Sequence, residues 1–138
     1  TGALLTGTGF GFSVPAGSVI NGITMTVNAK DSSNLAETYQ AFLTKNGTAS
    51  VGTNQASLTA LTTAFATYTI GGPTNLWGTS WTDTEINAST FGGMIQFDTN
   101  STFVSTAGVQ VDWMQIQVDY SVAGVSATQT LMMTGCGG

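Results

Sequence analysis

Apolar residues recur at every second position in several stretches of the chain. Ile23, Met25, Val27 and Ala29 form one such run, Tyr39, Ala41 and Leu43 a second, and Phe91, Gly93, Ile95 and Phe97 a third. Successive side chains of a strand point to opposite faces, so each run predicts a half-buried antiparallel strand with one face on a core. The strongest run spans 109–120, where Met114, Ile116, Val118 and Tyr120 point one way and Gln115, Gln117 and Asp119 the other. Its first half is out of phase, because Val109, Val111 and Trp113 fall on the opposite parity. Either a bulge near Trp113 re-aims the strand or that end is covered on both faces.

Turn-forming residues separate the runs: Pro15-Ala16-Gly17, Asp31-Ser32-Ser33-Asn34, Asn46-Gly47, Gly71-Gly72-Pro73 and Thr99-Asn100-Ser101. Asn46-Gly47 carries the clearest hairpin signal, since both residue types take the positive φ of a type I′ turn. Thr82-Asp83-Thr84-Glu85 matches a capping box, with Trp81 and Ile86 where a hydrophobic staple would close the first helical turn. Asn87, Ser89 and Thr90 follow at once, so the helix is expected to stop after one turn over 82–87. No internal repeat and no Pro- or Ser-rich linker divides the chain. The pattern predicts an all-β fold, an antiparallel two-sheet β-sandwich of jelly-roll-like type with one short helical turn.

The sandwich is expected over 1–121, with 122–138 as a C-terminal extension or arm. That extension carries Val125, Leu131, Met132, Met133 and Cys136, whereas solvated tails are poor in apolar side chains. An arm that docks on a neighbouring subunit needs such residues, with Leu131, Met132 and Met133 as anchors. The alternative is an extra strand that closes the chain's own sandwich. At the other end the chain begins at Thr1 and runs straight into Ala3-Leu4-Leu5, which reads as a processed or incomplete N-terminus.

Composition bears more on function than on fold. The 138 residues, 41% of them hydrophobic, suit one domain with one core. Only 7% are charged, against about 25% in ordinary soluble domains. Thr, Gly, Ala, Ser and Asn fill the positions that Lys, Glu and Arg usually hold. Such a surface suits a β protein hydrated through hydroxyls and amides, or a subunit whose faces are buried in an assembly. The chain has no His and no Arg, and its lysines are Lys30 and Lys45. General acid–base chemistry and anion clamps draw on those residue types, so the composition argues against an enzyme, and no cofactor is expected. The formal net charge of −5 argues against a nucleic-acid partner, which needs a basic stripe. No stretch approaches the roughly 18 consecutive apolar residues of a membrane-spanning helix, and no membrane partner is expected. A lone Cys136 excludes an intrachain disulfide.

Candidate sites are few. Two carboxylates about 5–9.5 Å apart would suit glycoside hydrolysis, but Glu85 has a capping role, Asp31 a turn role and Asp119 an outward strand position. Asp98-x-Asn100-x-Thr102 starts like a calcium loop and lacks its Gly and its closing acid, so an Asx-stabilised turn is the simpler reading and no metal is expected. Asp112, between Val111 and Trp113, is expected to be a buried, hydrogen-bonded structural carboxylate. Trp77, Trp81 and Trp113, with Tyr39 and Tyr68, are of the type that stacks on sugar rings, and Trp77 and Trp81 are the leading candidates; core or edge plugs are the other reading. Asn46-Gly-Thr48, Asn87-Ala-Ser89 and Asn100-Ser-Thr102 match the N-glycosylation pattern, which chance supplies readily in so Asn- and Thr-rich a chain.

Read in order, Gly9-Phe10-Gly11-Phe12-Ser13-Val14-Pro15-Ala16-Gly17, Leu76-Trp77-Gly78 with Trp81-Thr82, Ile86-Asn87-Ala88-Ser89-Thr90-Phe91-Gly92, and 111–120 with its Val111-Asp112-Trp113 opening resemble a domain of bacteriophage and prophage structural proteins. The likeness covers 9–120 and departs at both ends. It implies a β-sandwich of the kind used in capsid decoration and tail-fibre proteins, with no active site. The implied role is a non-enzymatic decoration or accessory subunit at the virion surface, a homo-oligomer such as a trimer, partnered with a major capsid or other virion protein. The alternative it leaves is a glycan-binding adhesin or tail-fibre domain.

Overall fold

In the computed structural model, which describes residues 4–32, 36–57, 59–99 and 109–134, the alternating runs become strands. They are β1 (Leu4–Thr8), β2 (Val19–Asp31), β3 (Ala36–Thr44), β4 (Ser50–Val51), β5 (Ala66–Gly72), β6 (Gly92–Thr99), β7 (Val109–Val122) and β8 (Val125–Thr134), with helix α1 (Asp83–Asn87) between β5 and β6. Two four-stranded sheets result, in the orders β1-β6-β3-β4 and β5-β2-β7-β8, and every pairing is antiparallel. This is the expected all-β two-sheet sandwich. Nested pairs, β2 with β7 and β3 with β6, are the part of the order that a jelly roll shares; the edges are arranged differently.

The core lies between the sheets. Ile23, Met25, Val27 and Ala29 of β2 are fully buried, as are Ala41 and Leu43 of β3 and Ile95 of β6. The sheets pack closely at Gly93, where a Cβ would lie 2.5 Å from Met25 Cε and 3.0 Å from Met114 Sδ. Two thioethers thus occupy the space that a side chain on β6 would need. In β3 the register slips between Thr38 and Gln40, and Thr38 is buried. The side chain of Tyr39 lies outside the described residues.

The phase change in β7 is a bulge. Asn28 pairs with Trp113 and Ala29 with Val111, which leaves Asp112 as the extra residue. One inserted residue inverts the parity, so Val109 and Val111 join Met114, Ile116, Val118 and Tyr120 in the core. The bulge also corrects the expectation for Asp112, whose side chain is exposed because the unpaired residue projects to water. Trp113 is half-buried.

Two turns differ from expectation. Asn46-Gly47 does not form a two-residue hairpin: Thr44 pairs with Ser50, and residues 45–49 make a longer loop in which Gly47, but not Asn46, has positive φ. The Asn46 carboxamide oxygen accepts from the backbone N–H of Thr48 (2.9 Å) and Ala49 (2.8 Å), an Asx arrangement that competes with the type I′ turn. The type I′ pattern occurs instead at Ala123-Gly124, with φ of 51° and 81° and Val122 paired with Val125.

That hairpin decides where the extension goes. β8 pairs with β7 from Val122↔Val125 to Trp113↔Thr134, so the segment expected to reach a neighbouring subunit is an added strand of its own sheet. Leu131, opposite Ile116, packs against the core. From β8, Gln129 also holds the segment 9–18 across the sandwich: Ser13 N–H donates to Gln129 Oε1 (3.1 Å) and Gln129 Nε2 to Ser13 O (3.0 Å). Asn87 at the end of α1 does the same for Val14, over 2.7 and 2.8 Å. In the same segment Phe10, Phe12 and Val14 are buried, and Phe12 meets Phe91 edge-on at 5.8 Å.

Replacing Gly93 by Val is expected to overpack the centre and cost about 1–3 kcal/mol, measured from denaturant midpoints. A midpoint equal to that of the wild type would contradict the close approach of the sheets at this residue.

Candidate interaction surface

The two leading tryptophans are plugs. Trp77 is 0% and Trp81 7% exposed, which removes both as exposed platforms for a sugar. Trp77 Nε1 donates to Ile23 O (2.8 Å) inside the sandwich, and Trp81 Nε1 to Leu76 O (3.1 Å). Trp77 also has left-handed backbone, with φ of 61°, which is costly for a bulky residue. It is held there by Thr53 N–H donating to its carbonyl (2.9 Å) and by its own N–H donating to Asn75 Oδ1 (2.8 Å). Gly71, itself at positive φ, must lack a side chain, since a Cβ would come within 2.7 Å of the Trp77 indole nitrogen.

The few charges near these plugs are engaged locally. The capping box on α1 is formed, with Glu85 N–H donating to Thr82 Oγ1 (3.2 Å) and Thr82 N–H to Glu85 Oε1 (3.0 Å). Lys45 lies 2.9 Å from the other Glu85 oxygen, donates to Ser80 O (2.9 Å) and stands 5.0 Å from the centre of the Trp81 ring. Burial pushes the Glu85 carboxyl up, but hydrogen bonds from Lys45 and Thr82 and the Lys45 charge outweigh it and hold the group below its ordinary 4.5. Lys30 lies over the Phe65 ring at 4.9 Å.

A different surface is left open by the fold. β8 is an outer strand of its sheet, and among the described residues nothing pairs with its far side. Its sequence, Val-Ser-Ala-Thr-Gln-Thr-Leu-Met-Met-Thr, contains no charge and no proline. Those are the usual devices that keep a long edge strand from pairing with another chain. Met132 is 49% and Val125 68% exposed, while Leu131 is half-buried and the Met133 side chain lies outside the described residues. The register places Met132 beside Gln115, Thr130 beside Gln117 and Thr128 beside Asp119. The predicted anchors therefore divide: Leu131 serves the core, and Met132 faces outward on the edge strand.

Other candidates are accounted for by structure. The Asn87 amide of the second glycosylation pattern is engaged with Val14. Asp98 lies in β6, while the rest of the Asp98 to Thr102 pattern from residue 100 on, the third glycosylation pattern and Cys136 lie outside the described residues. Among the described residues no group of three or more His, Cys, Asp or Glu is placed to hold a metal ion, and no helix is long and apolar enough to cross a membrane. Comparison with protein-family models, curated proteins and solved structures found no match for this chain.

The lowered Glu85 pKa has a definite sign in stability. A carboxyl held below its ordinary value stabilises the fold above that value and loses the contribution as pH falls through the folded value. The melting-temperature advantage of the wild type over Glu85→Gln is thus expected to be full at neutral pH and to vanish on acidification below 4.5. An advantage independent of pH would contradict the ion-pair assignment.

Proposed function

We propose that the chain is a non-enzymatic structural subunit of a bacteriophage particle, a capsid decoration or accessory protein that binds the particle surface as a homo-oligomer. The observation that carries the assembly part is the long, charge-free outer edge of β8. A strand offered by another copy, or by a major capsid or other virion protein, would extend the sheet through backbone hydrogen bonds, with Met132 as an adaptable apolar contact. Desolvating Thr, Gln and Ser there costs far less than desolvating charge, which suits a buried subunit interface. The resemblance over 9–120 supports the virion part. A binding role rather than a catalytic one is supported by a composition without His or Arg.

Lysines on the edge test this reading without touching the core. The double variant Thr130→Lys, Met132→Lys is expected to keep a cooperative unfolding transition and to lose self-association, or retention on purified particles, by at least about tenfold, since unpaired charge must be desolvated at the contact. Sedimentation velocity and co-purification with particles measure it. Association unchanged in the variant would remove β8 as the interface.

A further inference from the structure

The opposite edge of the same sheet is built differently. β5 borders a groove of about 530 Å³ between its residues 67–71 and a wall formed by Gln55, Ser57, Thr59 and Asn75. That volume lies in the range of small-molecule sites, roughly 300–1,000 Å³. The described residues lining it carry no charge: Thr38, Gln55, Thr67, Tyr68, Thr69 and Asn75 supply hydroxyls, amides and one ring. Phosphate, carboxylate and basic ligands would find no counter-charge here.

The lining is held in place from behind. Gln55 Oε1 accepts from Asn75 Nδ2 (2.8 Å), and Gln55 Nε2 donates to Thr53 Oγ1 (2.8 Å). The Tyr68 hydroxyl accepts from Thr62 N–H (3.2 Å), which orients a half-buried ring. The far wall is bonded to β3 through Thr38 N–H to Thr59 O (2.9 Å), Gln55 N–H to Ala41 O (3.1 Å) and Thr38 Oγ1 to Ser57 O (2.5 Å). A ligand therefore meets polar side chains on one wall and the outer edge of β5 on the other. Fixed hydroxyls and amides around an oriented aromatic ring suit a hydroxyl-rich, uncharged ligand with an apolar ring face.

We infer that this groove binds a short neutral oligosaccharide, with the Tyr68 ring against a sugar face and Gln55, Asn75 and the threonines on its hydroxyls. The inference is independent of the assembly proposal, because β5 and β8 are opposite edges of one sheet and variants in the groove leave β8 unchanged.

Saturation-transfer NMR and calorimetry of the full chain, with neutral gluco-, manno- and galacto-oligosaccharides and an anionic uronate oligomer as control, test it. Binding of a neutral sugar is expected to weaken at least about tenfold in Gln55→Ala, the loss of one well-placed hydrogen bond. It should also weaken in Tyr68→Leu and survive in Tyr68→Phe, with each variant's folding checked by its unfolding transition. Should Tyr68→Leu fail to fold, Gln55→Ala alone carries the comparison. No binding of any neutral probe, a preference for the uronate, or neutral-sugar binding unaffected by Gln55→Ala would each overturn the assignment.

Discussion

The pairing of β2 with β7 is the constraint on which the rest of the molecule hangs. These are the two longest strands, of 13 and 14 residues, and they form the middle of one sheet. The bulge at Asp112 sets the parity, so both ends of β7 supply the core with side chains. Their other sides receive β5 and β8, and Ile23 of β2 receives the Trp77 indole that anchors the loop beyond β5. A one-residue change in their register would turn either Met25 or Met114 away from Gly93 and remove the fit between the sheets.

With so few charges, side-chain amides take over the task of holding the loops. Asn87 and Gln129 each clasp a backbone peptide with two hydrogen bonds, Asn46 closes the loop after β3, and Asn54 Oδ1 accepts from Ala41 and Ala56 N–H at 2.8 and 3.0 Å. Each such bond is worth about 1 kcal/mol net and carries no charge to be screened by salt or desolvated at a contact. The same chemistry that organises the loops thus leaves a surface inexpensive to bury. A charge-free edge on β8 and a neutral groove beside β5 follow from one compositional choice.

Much of this was legible in the sequence, because burial obeys parity. Ile23 to Ala29, the phase break near Trp113 and the capping box at Thr82 were all visible as local patterns. The β7–β8 hairpin was not, since Ala123 lacks the Asn or Asp that marks a type I′ turn, while Asn46-Gly47 bears that mark and uses its side chain for a different loop. Asp112 was expected to be a buried, hydrogen-bonded carboxylate and is instead the exposed extra residue of the bulge, as parity cannot tell which residue is extra. The candidate residues were only partly legible. Met132 was singled out as an anchor and is exposed, but on its own sheet's edge rather than on a free arm. Trp77 and Trp81 look alike in sequence whether buried or exposed, and only the long-range bond to Ile23 and the packing around α1 decide it. Gln55, Ser57 and Thr59 alternate with Ala56, Leu58 and Ala60 in the sequence, but that these polar residues face Tyr68 across a groove is a long-range arrangement that no local pattern shows.

The central claim is that β8 belongs to its own sandwich and offers its outer edge to a partner. Residue-resolved amide hydrogen exchange on the isolated protein and on the assembled particle tests it most directly. In the isolated protein, the β8 amides bonded to β7 should be protected and those on the outer edge should exchange rapidly. On assembly the outer amides should become protected as well. Uniformly fast exchange along β8 in the isolated protein, or outer amides that stay unprotected in the particle, would contradict the account.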